Sequence, residues 1–186
     1  MKFLDLDQIR ERNRRIVLQC IRDAGTIARV EIADLVDVSP ATVSVVTGEL
    51  LMDGLIETVE PEPRSSPPGR GRPKTLLRLR PDAAHAVGIK IALHQAAVSV
   101  TNFVGDVLAS ETVPFSPKQR TPGKIIEICE QQIGRMLEAT GLERDQLLGV
   151  GIGVSGVVTY ETGVMNWTPM FPDRDVPLKS VLEERT

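Results

Sequence analysis

The dipeptide Ser39-Pro40 interrupts an otherwise continuous apolar pattern, and no other feature constrains the fold as much. A serine hydroxyl can accept a hydrogen bond from one of the unpaired N–H groups that open a helix, and proline at the first helical position loses no bond. A helix therefore begins at Pro40. It carries Val43, Val46, Leu50 and Leu51 at spacings of three and four and stops at Asp53-Gly54, where glycine permits a left-handed turn. The preceding segment, about Val30 to Val36, reads as a short helix with Ile32, Leu35 and Val36 on one side, Ala33 leaving room for close packing and Asp37-Val38 forming the turn. Upstream, Ile9, Ile16, Val17, Cys20 and Ile21 give helical spacing from Leu6 to Asp23, with Gly25 as the stop. Two helices joined by a tight turn form a unit whose second helix can enter a DNA major groove.

After that unit, Leu55 to Val59 reads as a strand and Thr75 to Leu79 as its return, together the two strands of a wing. Between them Pro61 to Pro73 holds five prolines, two glycines and two serines, so it cannot be helical and reads as an extended loop. Net charge is −3 overall, but it is unevenly divided: residues 1–80 carry 13 Lys+Arg against 12 Asp+Glu, whereas 81–186 carry 9 against 13. Arg64 to Arg80 contains six basic residues and no acid, a local anion-binding surface. The face of the third helix read as exposed offers Ser39, Pro40, Ala41, Thr42, Ser44, Val45 and Thr47, which suit phosphates, base edges and thymine methyl groups. That helix has no Lys or Arg, so electrostatic affinity is assigned to Arg29, to Arg10, Arg12, Arg14 and Arg15 beside the first helix, and to Arg70, Arg72 and Lys74 at the wing tip. In Gly69-Arg70-Gly71-Arg72-Pro73 the glycines and proline keep the backbone thin while arginines project, a shape suited to a minor groove. Double-stranded DNA is the expected partner.

Beyond Pro81 the period changes. Ala86 to Leu93, Ala96 to Phe103 and Asp106 to Val113 read as three adjacent strands. Pro122 to about Thr140 reads as a helix with Ile125, Ile126, Cys129, Ile133 and Leu137 inward, and Leu147 to Val154 as a continuous apolar strand suited to the middle of a sheet. The order β-β-β-α-β is mixed α/β, and the expected domains are 1–80 and 81–186. A hydrophobic fraction of 41% with 25% charged residues, no membrane-spanning run and an acidic start predict a globular cytoplasmic protein. Cys20 and Cys129 read as buried thiols, and neither they nor His85 and His94 have partners at metal-ligand spacing, so no metal and no cofactor is expected.

The segments Asn13-Arg14-Arg15-Ile16-Val17, Arg29-Val30-Glu31-Ile32-Ala33, Ser39-Pro40-Ala41-Thr42-Val43-Ser44 and Gly71-Arg72-Pro73 resemble the DNA-binding end of the ROK family, which unites bacterial repressors of the xylose and N-acetylglucosamine type with sugar kinases. The resemblance continues through Val87-Gly88-Ile89, Gly105-Asp106-Val107-Leu108 and Gly149 to Gly156. It implies an α+β to α/β protein, a winged helix-turn-helix followed by the first part of an actin-like, ribonuclease H-like lobe, with the chain ending inside that lobe. An open sheet edge and apolar surface would follow, favouring either self-association, into a homodimer or higher oligomer, or instability.

Where the family's kinases carry an Asp and a glycine-rich phosphate loop, this sequence has Lys90 and Ala92-Leu93-His94, so the resemblance predicts no kinase activity and no catalytic residues. Ser155, Gly156 and Trp167 fall where the family approaches its sugar and form the candidate loop for a sugar effector, although Trp167 and Met170 replace the family's asparagines there. The expected function is a sequence-specific transcriptional repressor of carbohydrate-related genes. A sugar kinase with an appended DNA-binding head and a protein-interaction module remain the alternatives.

Overall fold

The computed structural model describes residues 6–60 and 75–185, and the chain divides into two compact units, Met1–Ala83 and Ala84–Thr186. In the first, the elements are α1 (Leu6–Ala24), β1 (Ile27–Ala28), α2 (Arg29–Leu35), α3 (Pro40–Met52), β2 (Ile56–Val59) and β3 (Leu76–Leu79). The helices bury Val17, Ile21, Ile32, Val43, Val46 and Leu50, and the strands bury Ile27, Ile56, Leu77 and Leu79. Each such side chain contributes on the order of 1.5–3 kcal/mol. The strands form an antiparallel sheet of order β1-β3-β2, with Ile56 opposite Leu79, Val59 opposite Leu76, and Ile27 opposite Leu77 on the other side of β3. The wing pair thus forms as expected, and β1 adds a strand too short to carry an alternation signal of its own.

Two assignments of side-chain direction in this unit are corrected. Leu35, expected on the packed side of α2, is 69% exposed, because a helix of seven residues ends before its last turn can reach the core. Thr47, expected on the outer face of α3, is fully buried, and its hydroxyl donates to Val43 O at 2.9 Å, so the helix itself satisfies it. Pro61 to Pro73, including Arg70 and Arg72, lies outside the described residues, as does Lys74.

The second unit contains β4 (His85–Ile91), β5 (Gln95–Asn102), β6 (Val107–Pro114), α4 (Pro122–Thr140), β7 (Leu147–Val154), β8 (Val157–Thr159), β9 (Val164–Trp167) and α5 (Leu178–Arg185). Its main sheet has the order β6-β5-β4-β7, antiparallel except for the β4–β7 pair, which is parallel and reached through α4. Val87, Ile89 and Ile91 of β4 and Val98 and Val100 of β5 meet Ile125, Ile126, Cys129, Ile133 and Leu137 of α4 in one core. Successive strand residues point to opposite faces. Gly88, Lys90, Ala97 and Ser99 therefore line the face away from α4, where with Thr112, Gly151 and Gly153 they border a shallow concavity.

The reading of β7 as a central strand is corrected. Among the described residues it lies at the sheet edge, with Leu148 78% exposed. A continuous apolar run records that both faces of a strand are suited to burial, not which neighbours it finds. The β8–β9 hairpin and α5 lie beyond what the sequence reading anticipates; Gly163, at φ 65 between two apolar runs, is the turn signal that marks the hairpin. Cys129 is fully buried and its thiol is pushed up to about 11, first by desolvation and then by Glu130 beside it. Cys20, expected to be buried, is only partly so. No helix among the described residues is long and apolar enough to cross a membrane.

Candidate nucleic-acid interface

The helix-turn-helix is built by three local devices. The N–H of Val36 closes α2 onto Ile32 O at 3.0 Å, and the N–H of Val38 returns to Val36 O at 2.7 Å, so the turn between the helices is tight. Ser39 then caps α3, its Oγ accepting from the N–H of Thr42 at 3.2 Å with Pro40 in the first turn. With Val43, Val46, Thr47 and Leu50 facing inward, Ala41, Ser44 and Val45 are left exposed.

The outer hydroxyls are engaged locally. Ser44 Oγ donates to Pro40 O at 2.9 Å, and Ser39 Oγ and Thr42 Oγ1 share a hydrogen bond of 2.9 Å. The arginines assigned to electrostatic affinity divide into two groups. Arg10 pairs with Glu49 at 2.5 Å, Arg14 with Asp53 and, at 3.9 Å, with Glu49, and Arg15 with Glu11 at 3.0 Å. Arg10 and Arg14 thus fasten α1 to the C-terminal end of α3. Arg29, exposed at the first position of α2, makes no ion pair among the described residues. In the wing, Arg78 bonds Glu57, its directly opposite neighbour across β2 and β3, at 2.7 Å.

In the second unit the structure brings together the three residues of the candidate effector loop. Ser155 and Gly156 follow β7, and Thr168, just after β9, donates its hydroxyl to Ser155 O at 2.8 Å. Gly156 lies so close to Trp167 that a Cβ built on it would sit 2.2 Å from Trp167 O, and no larger residue fits there. Trp167 is 44% exposed, so its ring is not committed to the core. Asn166 is engaged, accepting from Thr159 Oγ1 at 2.8 Å and donating to Asp175 at 3.0 Å. At the β4–β5 turn, where a phosphate loop would lie, His94 Nδ1 bonds Arg120 at 2.6 Å.

Comparison with known proteins bears on both units. A family model described as winged helix-turn-helix DNA-binding matches residues 10–57. The xylose repressor of Caldicellulosiruptor bescii is 30% identical over 177 residues, covering 95% of this chain and 43% of its own length. The DNA-binding transcriptional dual regulator NagC of Escherichia coli K12 is 25% identical over 181 residues, 97% of this chain and 43% of NagC. Among solved structures, a ROK family transcriptional regulator, a homologue of the E. coli Mlc protein, superposes with a TM-score of 0.72 at 19% identity over 96% of this chain and 44% of that one. Over nearly its whole length the chain is similar to these repressors, and its fold is that of the ROK family regulator. The chain spans less than half the length of these relatives, and it combines a winged helix-turn-helix with a mixed α/β unit that superposes on the same regulator.

Sequence reasoning missed Thr168 and the Asn166–Asp175 pair, which hydrogen-bond around the candidate loop. Asp175 sits at a positive φ of 53, and its isolation between Arg174 and Val176 gave no signal of that role. The ties of Arg10 and Arg14 were equally invisible, because their partners lie 39 residues away along the chain.

Proposed function

We propose that the winged unit of this chain binds double-stranded DNA as the sequence-reading part of a transcriptional repressor of carbohydrate-related genes, acting in the cytoplasm. One observation carries the reading: α3 is capped, buttressed by α1 and α2, and presents an exposed face that the fold does not use. Ser39, Pro40, Ala41, Thr42, Ser44 and Val45 form the base-reading surface, Arg29 supplies a phosphate contact, and Arg70, Arg72 and Lys74 supply the wing's. Thr47 has no part, being buried. Two copies bind a site of roughly two-fold symmetry, since a homodimer matches half-sites spaced by a whole number of helical turns.

The second unit serves effector sensing or self-association and does not transfer phosphate. Supporting this, Lys90 places a cation on the open sheet face where the kinases' Asp would stand, and Ala92-Leu93-His94 offers no glycine to bring backbone N–H groups against phosphates. The half-exposed Trp167 beside Ser155 and Gly156 gives a sugar ring a surface to stack on.

Selection of binding sites from random duplex DNA with the whole chain tests the proposal, followed by titrations across salt concentration. A defined sequence preference, with affinity falling as salt rises, is expected. Arg29→Ala should weaken binding to all duplexes alike and reduce the salt slope by about one unit. Affinity no greater for the selected duplex than for heparin would refute it.

A further inference from the structure

The outward stripe of α3 is unusual for a solvent-exposed helix. Residues at spacings of four, three and four along one side of a helix share a face, and here that face is Ala41, Val45, Gly48 and Met52. Val45 is 61% exposed and Met52 83% exposed. The opposite side, Val43, Val46 and Leu50, is the core face, so α3 is apolar on both sides. An amphipathic surface helix would have charges where this stripe lies. Gly48 adds a second anomaly: a Cβ built there meets nothing within 4 Å, so the fold does not require glycine at a position where it weakens a helix.

We propose that this stripe reads thymine 5-methyl groups in the major groove, Ala41 and Val45 by direct apolar contact and Gly48 by letting the helix backbone approach the base edges. The inference rests on the DNA-binding reading above. Within the groove, the methyl of thymine is the one apolar group that a base pair offers. The surroundings of the stripe fit a polyanion and not a second apolar protein face. Glu49, the single charged residue of α3, is held by Arg10 and Arg14, and Asp53 just beyond the helix by Arg14, so neither acid of α3 and its C-cap is left free. Arg29 stands exposed on α2, and the acid-free run Arg64 to Arg80 follows in sequence. Ser44 already donates its hydroxyl proton to Pro40 O, so without breaking that bond it meets a base edge only as an acceptor, and apolar contact is the other interaction this face offers.

The test uses the duplex selected by the whole chain and the same duplex with deoxyuridine replacing thymidine, which removes the methyls and leaves the pairing pattern intact. Wild-type affinity should fall about fourfold for each contacted methyl, the worth of burying one methyl-sized group. Val45→Ala should weaken binding to the thymine duplex and narrow the thymine-to-uracil ratio, while its circular dichroism stays that of the wild type. Gly48→Ala should raise Tm and yet weaken binding to both duplexes. Equal wild-type affinity for the two duplexes, or selection of sites without thymine, would overturn methyl readout and leave DNA binding standing. Failure to bind either duplex would overturn both.

Discussion

Helices α3 and α4 are built alike at their ends and oppositely on their outer sides. Each opens on a hydroxyl cap followed by proline, Ser39-Pro40 in one and Thr121-Pro122 in the other, and each is followed by a glycine in the left-handed region, Gly54 at φ 69 and Gly141 at φ 68. Each buries an apolar side. On the outside, α4 carries Lys124, Glu127, Arg135 and Glu138, with Lys124 paired to Glu127 and Arg135 to Glu111. The outer stripe of α3 carries no charge. The shared ends define where a helix starts and stops; the outer face reflects what the helix meets, water for α4 and, under the proposal above, DNA for α3.

The inner faces should prove equivalent. Leu50→Ala in α3 and Ile125→Ala in α4 each remove a side chain no more than 1% exposed and should each cost about 2–5 kcal/mol in denaturant unfolding. A loss below about 1 kcal/mol at either position would mean that its core had been misplaced. The caps should match at a lower level. Ser39→Ala and Thr121→Ala each delete the acceptor of a backbone N–H bond and should each cost about 0.5–2 kcal/mol.

The mid-helix glycines sharpen the contrast. A methyl group added at Gly48 of α3 or at Gly134 of α4 would meet nothing within 4 Å, so alanine at either should stabilise by about 0.5–1 kcal/mol. Only Gly48→Ala should also weaken DNA binding; equal effects of the two on affinity would erase the distinction between the helices.

The smallest effect concerns the cysteines. Cys129, with its thiol pushed up to about 11 by burial, should react with thiol reagents more slowly than the partly exposed Cys20 of α1 at neutral pH. A folded pKa above the usual 9.0 favours the protonated thiol in the native state. The stability it contributes is complete below about pH 9 and is lost as pH rises toward about 11. Serine at position 129 should flatten that alkaline decline.

Legibility from sequence followed how local each determinant was. Helix α4 is found at its stated limits, because its cap, its proline and its buried spacing all lie within its own residues. The order of the antiparallel strands β4, β5 and β6 follows from their short connections. What the sequence concealed was set at a distance. The sequence gives no hint of the partners of Arg10 and Arg14, and only the fold brings Glu49 and Asp53 beside them. The edge position of β7 depends on what else joins the sheet, and the apolar run Leu147 to Val154 is silent on that. Thr47 is hidden for a different reason: a hydroxyl reads as a surface group, whereas a threonine can bond the carbonyl one turn back and remain buried.

Contact between the outer face of α3 and DNA is the central claim, and a matched pair of charge insertions tests it most directly. Val45 in α3 and Gln131 in α4 are both exposed, so glutamate at either should leave folding intact. Measured against the selected duplex with the whole chain, Val45→Glu should lower affinity by at least about tenfold, since a carboxylate would face base edges and phosphates, while Gln131→Glu should change it by less than about twofold. Undiminished affinity in folded Val45→Glu protein would contradict the account.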